Sequence, residues 1–361
     1  MSDSKQRVLD AISHKPYDRI PRDFWSTPET DRKLLQHFGL QHREQLLDNF
    51  DVDITYIQGP RYTGPPLKQY DDQSSDDIWA VRRKRSYTGQ GDKKQSYETV
   101  VHSPLKDTAN IDEILSYGHW PNPDDYDYTC IRQQCSQAGQ RAVFFMGDRL
   151  NRIAQLKPAM YLRGMEQILM DSVLNPDIFK TVIGKIAEFY NEYLARILAE
   201  ADGMIDVVVT GDDFGTQNGL ILSRQLWREH LYPGFKNFID ICHSFNVPVM
   251  HHTCGGIYEI IPDMIEAGLD ILNPLQPNTY AMDFGRIKSE FGDQICFHGG
   301  ISIQTNLPFG TPGDVRNEVK QAFSTLGKKT GYIACTAHNI QADTPVENII
   351  ALIEAYRDFS L

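Results

Sequence analysis

Two short pieces of the chain carry residue types that bind and activate. His252-Thr253-Cys254 sets an imidazole and a thiol two residues apart. On an extended strand that spacing turns both to one face. Cys335-Thr-Ala-His338 offers a second pair of the same kind near the end of the chain. Neutral imidazole and thiolate are ligands that zinc takes, and a catalytic zinc needs three protein ligands with a fourth position open. His252, Cys254 and either Cys335 or His338 would make three. Cys335 also ends an apolar run, where reduced cysteine packs as a small core residue. Cys130, Cys135, Cys242 and Cys296 read as core in the same sense. His251, next to His252, should face the other way as a hydrogen-bonded structural histidine.

These residues need elements to carry them. Eight apolar runs read as strands: Arg19–Trp25, Asp51–Gln58, Ala142–Gly147, Asp206–Asp212, Val247–His252, Leu269–Asn273, Ile295–Gly299 and Gly331–Cys335. Most are continuous and not alternating, as expected of parallel strands covered on both faces. Between them lie helical stretches, among them Pro233–His243 and Pro312–Leu326. Thr311-Pro312 and Thr344-Pro345 give an N-cap hydroxyl followed by proline, with Asp314 or Glu347 three residues after the cap. Strand–helix alternation of this extent predicts an α/β fold, a single (β/α)8 TIM barrel spanning 1–361, with a doubly wound sheet as the lesser alternative. A long polar stretch, Thr63–Gln140, interrupts the rhythm after the second strand. Within it Ile78–Tyr87 and Gln95–His102 predict a β-hairpin, and Arg82-Arg83-Lys84-Arg85 reads as a solvated face.

In a barrel the chemistry sits at the C-terminal ends of the strands. The polar residues there are Trp25-Ser26-Thr27, Gln58, Asp148-Arg149, Asp212-Asp213 with Gln217, His252 and Cys254, Asn273 and Gln276, His298 with Gln304 beyond it, and Cys335 with His338. Asp212 or Asp213 could instead cap a helix. No Walker sequence and no G-x-G-x-x-G is present, so a nucleotide-phosphate loop is not expected.

Composition narrows the class. The 361 residues are 41 % apolar and 23 % charged, which excludes disorder. A net charge of −12 repels phosphate backbones and anionic lipid, against nucleic-acid or membrane-surface binding. No run reaches membrane-spanning length, Met1–Arg7 has no apolar signal core, and the cysteines are irregularly spaced. The expectation is a reduced, cytoplasmic enzyme.

Thr210–Gln217 (TGDDFGTQ), HHTCGG at 251–256, NPLQ at 273–276, FHGGISIQ at 297–304, and AHNIQ at 337–341 followed by Thr344-Pro-Val-Glu-Asn348 together resemble the uroporphyrinogen decarboxylase superfamily. More narrowly they resemble its cobalamin-dependent (corrinoid) methyltransferases. The resemblance implies a (β/α)8 barrel, a Zn2+ on His252 and Cys254 with a third ligand from the eighth strand end, and a corrinoid protein as partner. It aligns the family's third ligand, a cysteine, with His338, so His338 or Cys335 would complete the set. A small methylated compound would bind at the mouth, with Asp213, His298 and His338 as catalytic groups. Trp25 and Tyr62 would be its walls, and Asp212, Gln217, Asn273, Gln276 and Gln304 its polar contacts. True decarboxylases carry arginines at the first strand end for the substrate's carboxylates. Asp23-Phe24-Trp25-Ser26-Thr27 stands there instead, which argues against a tetrapyrrole substrate. The alternative is a metal-free decarboxylase or lyase acting on a different carboxylated substrate, with Asp212 or Asp213 and His338 as its acid–base pair. Members of the superfamily are often dimers, which allows a homodimer.

Overall fold

The structure, a computed structural model, describes residues 3–147 and 152–359. Asp148 and Arg149, expected at the third strand end, lie outside the described residues. Seven parallel strands form one sheet in chain order: β1 Ile54–Ile57, β2 Ala142–Phe145, β3 Val207–Gly211, β4 Val249–His252, β5 Ile271–Leu275, β6 Cys296–Ile301 and β7 Tyr332–Thr336. Helices follow the strands, among them Pro176–Ala201, Tyr232–Ser244 and Pro312–Leu326. The last of these starts with the capping box read from Thr311 and Asp314.

Arg19–Trp25, expected as a strand, is not one. It is an extended segment that touches both sheet edges. Asp23 N–H donates to the Ala334 carbonyl at 2.9 Å, Ala334 N–H to Pro21 at 2.8 Å, and Asp53 N–H to Arg22 at 2.9 Å. A full ladder does not form because Pro21 has no N–H and the Arg22 N–H goes to the Asp53 carboxylate at 2.8 Å. The result is a TIM-barrel-like α/β fold, a curled parallel sheet whose two edges share one connecting segment.

Side chains along the strands alternate between two cores. Val208, His251, Leu272, Phe297 and Ala334 point outward beneath the helices, where all five are buried. Ile54, Phe144, Val207, Val209, Met250, Ile271, Cys296 and Ile333 point inward as a separate apolar cluster. Two residues further along the same inward face stand Tyr56, Gly211, His252, Asn273, His298 and Cys335. An apolar layer is therefore topped by a polar one, and the step between them is one strand period.

Residues 63–140 contain a three-stranded antiparallel sheet. Ser74–Asp76 pairs with Arg82–Thr88, which pairs with Gln95–His102. The middle strand begins at Arg82 and not Ile78, because 77–81 is a turn. Asp77 Oδ1 accepts from Trp79 N–H at 2.9 Å and Val81 N–H at 3.0 Å, and Ala80 has a positive φ of 53°. Strand alternation then turns Arg83 inward to 4 % exposure, so the Arg82–Arg85 run is not solvated throughout. No helix among the described residues is long and apolar enough to cross a membrane.

Candidate active site

The strand ends bring His252, Cys254 and His338 together. Their ligand atoms lie within 4.8 Å of one another. Cys254 Sγ stands 3.4 Å from His252 Nε2. Two ligands at tetrahedral angles on zinc, with bonds near 2.3 and 2.0–2.1 Å, stand about 3.5 Å apart. The donor set and its spacing therefore fit a zinc ion. Cys335 does not join them. It shares the inward face with Ile333 and lies fully buried, within 4.8 Å of Asp23 and His298. Of the two candidates for third ligand, His338 is the one the structure places at the cluster. It lies past the strand, where the chain turns over the mouth.

Behind the cluster runs a chain of buried hydrogen bonds. His252 Nδ1 meets Asn273 Oδ1 at 2.6 Å, and an amide oxygen only accepts, so the proton is on Nδ1 and the Nε2 lone pair faces Cys254. Asn273 Nδ2 donates to His298 Nδ1 at 2.5 Å, which puts the His298 proton on Nε2. That nitrogen donates to Asp23 Oδ2 at 2.9 Å. The same oxygen accepts from Tyr56 Oη at 2.5 Å, and Tyr56 Oη accepts from Trp25 Nε1 at 2.9 Å. The Trp25 indole lies 5.5 Å from the His252 ring and 5.6 Å from the His298 ring, centroid to centroid. Burial, then the neighbouring Arg152 guanidinium, holds His252 well below the usual histidine range, so it is neutral, as a ligand must be. Burial pushes the Cys254 thiol up to about 12, and Asp213 adds to the shift.

Asp212 and Asp213 part company. Asp212 accepts from Gln155 N–H at 2.6 Å, Leu156 N–H at 3.0 Å and Lys157 N–H at 2.7 Å, at the start of helix Leu156–Arg163. Burial raises it to about 6 against those three bonds. It is a helix cap, and both oxygens are spent. Asp213 accepts from Lys157 Nζ at 2.6 Å and from Cys254 N–H at 3.4 Å. Burial alone would raise its pKa, but the Lys157 charge and the hydrogen bonds from Lys157 and Cys254 N–H outweigh it and leave Asp213 below the usual carboxylate range.

Two cavities meet at His338. One, about 330 Å3, is lined by Gln217, Cys254, Gln276, Gln304 and His338 among others. The three glutamines expected as substrate contacts therefore gather beside Cys254 and His338. The other, about 350 Å3, is lined by Trp79, Arg83, Arg152, Lys157, Tyr161 and His338 among others. The remaining expected residues fall elsewhere. His298 and Asn273 are fully buried, with their polar atoms bonded to each other and to Asp23 and His252. Trp25, 6 % exposed, packs against the rings of His252 and His298 and is not among the lining residues of these two cavities. Tyr62 sits in a different depression, with Arg61 and Cys130, and donates to the Pro65 carbonyl at 3.0 Å. His251 faces the helices as expected, bonded to Thr210 Oγ1 at 2.7 Å and stacked on Phe214. Nothing in the spacing singles out Arg83, Arg152 or Lys157. Tyr56 is signalled only by its parity with Ile54.

The uroporphyrinogen decarboxylase (URO-D) family model matches residues 154–359. A uroporphyrinogen decarboxylase of Coxiella burnetii is 25 % identical over 187 residues, 52 % of this chain and 49 % of that protein. One from Carboxydothermus hydrogenoformans is 28 % identical over 192 residues, 51 % of this chain and 49 % of that protein. The alignments thus span about half the length of the curated relatives. A methyltransferase from Methanosarcina mazei superposes over 99 % of both chains with a TM-score of 0.67 at 17 % identity, a likeness of fold.

Proposed function

The chain belongs to the uroporphyrinogen decarboxylase family, and from that premise we propose that it is a methyltransferase, moving a methyl group between a small methylated compound and a corrinoid carried by a partner protein. One observation carries the reading: His252, Cys254 and His338 converge at the strand ends. We read the sheet and its connecting segment as one (β/α)8 barrel spanning the chain, with 63–140 an insertion beside its mouth. A Zn2+ held by the three residues, with its fourth position open, would supply Lewis-acid polarisation of the heteroatom bearing the methyl group.

The chain's own residues do the rest. Asn273 fixes the His252 tautomer, and Trp25 and the His298–Asp23–Tyr56 series hold Asn273 in place. Gln217, Gln276 and Gln304 offer amide donors and acceptors to a substrate lying beside Cys254. Gln276 Oε1 accepts from Gly255 N–H at 2.9 Å, so its NH2 is the part offered. Asp213 stays ionised and steadies Lys157. The mouth is where the corrinoid protein would dock.

A second reading, a metal-free decarboxylase or lyase acting on another carboxylated substrate, is favoured by one contact. Asn339 N–H donates to His338 Nδ1 at 2.8 Å, which leaves the proton of a neutral His338 on Nε2. In that state His338 is a hydrogen-bond donor and not a ligand. The names of the curated relatives fit this reading too. Elemental analysis of the purified chain, followed by methyl transfer to reduced cobalamin, separates the two. The first reading expects one zinc per chain and loss of both zinc and transfer in His252→Ala and Cys254→Ala. Absence of zinc with chelator-resistant CO2 release would replace it with the second.

A further inference from the structure

Among the described residues, the 350 Å3 cavity beside His338 carries more positive charge than its ion pairs neutralise. Three cations line it, Arg83, Arg152 and Lys157. Two have carboxylate partners: Arg83 Nε donates to Asp77 Oδ2 at 2.7 Å, and Lys157 Nζ to Asp213 Oδ2 at 2.6 Å. Among the described residues Arg152 has none. Its hydrogen-bond contact is the Met146 thioether, 3.2 Å from Nη2. Two guanidinium nitrogens are buried without any hydrogen-bond partner, Arg152 Nε and Arg83 Nη1. Arg83 is only 4 % exposed, so water does not readily serve it. A buried charged donor left unmade is costly, and a protein keeps it where a ligand makes the bond. Three aromatic residues share the wall, Trp79, Tyr161 and Tyr190, and the Arg83 guanidinium lies 4.3 Å over the Tyr161 ring. Aromatic faces set among charged groups suit a small planar anion, and this volume is at the small end of the range for small-molecule sites.

We propose that this cavity is a carboxylate-binding subsite, in which Arg152, aided by Arg83, takes the acid group of a small aromatic carboxylic acid while its other end reaches the His252–Cys254–His338 cluster. One residual positive charge suits a monoanion, and a planar guanidinium suits a planar carboxylate. The subsite rests on the methyltransferase reading only for where the far end of the ligand points. The charge and the orphaned N–H groups stand without it.

The test is calorimetric titration of the full chain, once with zinc and once after chelation. The probes are 3-methoxybenzoate, its neutral isostere 3-methoxybenzamide, and inorganic phosphate. The expected result is that the acid binds at least tenfold more tightly than the amide and than phosphate, with or without zinc. Arg152→Gln should cost the acid at least tenfold and leave the amide unchanged, while Arg152→Lys restores part of the loss. Equal binding of acid and amide by the unmutated chain would overturn the proposal without reliance on any variant. Phosphate binding more tightly than the acid would also overturn it, as would unchanged acid binding in a folded Arg152→Gln. Acid binding by a chain that takes up no zinc when zinc is supplied and transfers no methyl group would sink the methyltransferase reading and leave the subsite standing.

Discussion

Asn273 is the residue whose two ends can be tested apart. Its Oδ1 holds the His252 Nδ1 proton at 2.6 Å and its Nδ2 donates to His298 Nδ1 at 2.5 Å, all within a fully buried layer. Asn273→Ala removes both bonds. Loss of a group that orients a ligating histidine typically costs 10–100-fold in metal affinity, about 1.4–2.8 kcal/mol. It also leaves two buried imidazole nitrogens unpaired, at about 1–3 kcal/mol each, a sizeable part of a stability of about 5–15 kcal/mol. Asn273→Asp keeps an oxygen for the His252 proton but has no donor for His298, whose Nδ1 lone pair then faces a carboxylate. Zinc affinity should stay within a few-fold of the unmutated chain in Asn273→Asp and fall 10–100-fold in Asn273→Ala, while both lose stability. Competition against a chromophoric chelator measures the first, and urea unfolding followed by circular dichroism measures the second. Zinc affinity within twofold of the unmutated chain in a folded Asn273→Ala would refute the claim that this amide sets the ligand tautomer.

Three further outcomes follow from the same geometry. Cys335→Ala should keep its zinc and His338→Ala should lose most of it, as read by metal content after dialysis; the reverse would restore Cys335 as third ligand. His251 is pushed down to about 3 by burial against an ordinary value of about 6.5. The unfolded chain therefore binds the proton first, and stability present above pH 6.5 is lost as pH falls, by about 2 kcal/mol between pH 6.5 and 4.5. His251→Gln should flatten that part of a plot of urea midpoint against pH, and an unchanged slope would count against the buried neutral state. Gly211→Ala would set a Cβ 2.6 Å from Arg152 Cδ and 3.3 Å from His252 Cβ, so 3-methoxybenzoate binding should weaken several-fold, and full-strength binding would show that Arg152 need not lie where it does.

How far the site was legible depends on where each residue sits relative to its strand. His252, Asn273 and His298 each stand two places after an apolar residue of the same run, Met250, Ile271 and Cys296. Parity alone then turns all three inward. The same rule says that Cys335 follows Ile333 into the barrel and that His251 faces out, so these positions were readable from period two. Parity stops at the end of the strand. Asp212 and Asp213 are neighbours just past β3, and nothing in their types says which will cap helix Leu156–Arg163. That depends on where the chain returns from residue 155, which is a tertiary fact. His338 is likewise three residues beyond the inward face of β7, on backbone whose direction no local pattern fixes.

Arg83 and Arg152 were illegible for a different reason. Arg83 is hidden in a run of four cations, and its inward turn needs the register set by the 77–81 turn and a carboxylate six residues back. Arg152 owes its place to an absence. Gly211 has the inward parity of Val209, and any side chain there would fill the space where the Arg152 stem crosses the end of β3. The missing Cβ lies between the stem of Arg152 and the His252 side chain, and the two cavities meet at His338. One glycine, fifty-nine positions from the arginine it makes room for, leaves the cationic cavity open beside the metal ligands. A ligand long enough to engage both would be chosen at its acid end by Arg152 and presented at its other end to the cluster, so the specificity of the chain and the place of its chemistry would be set by different strand ends.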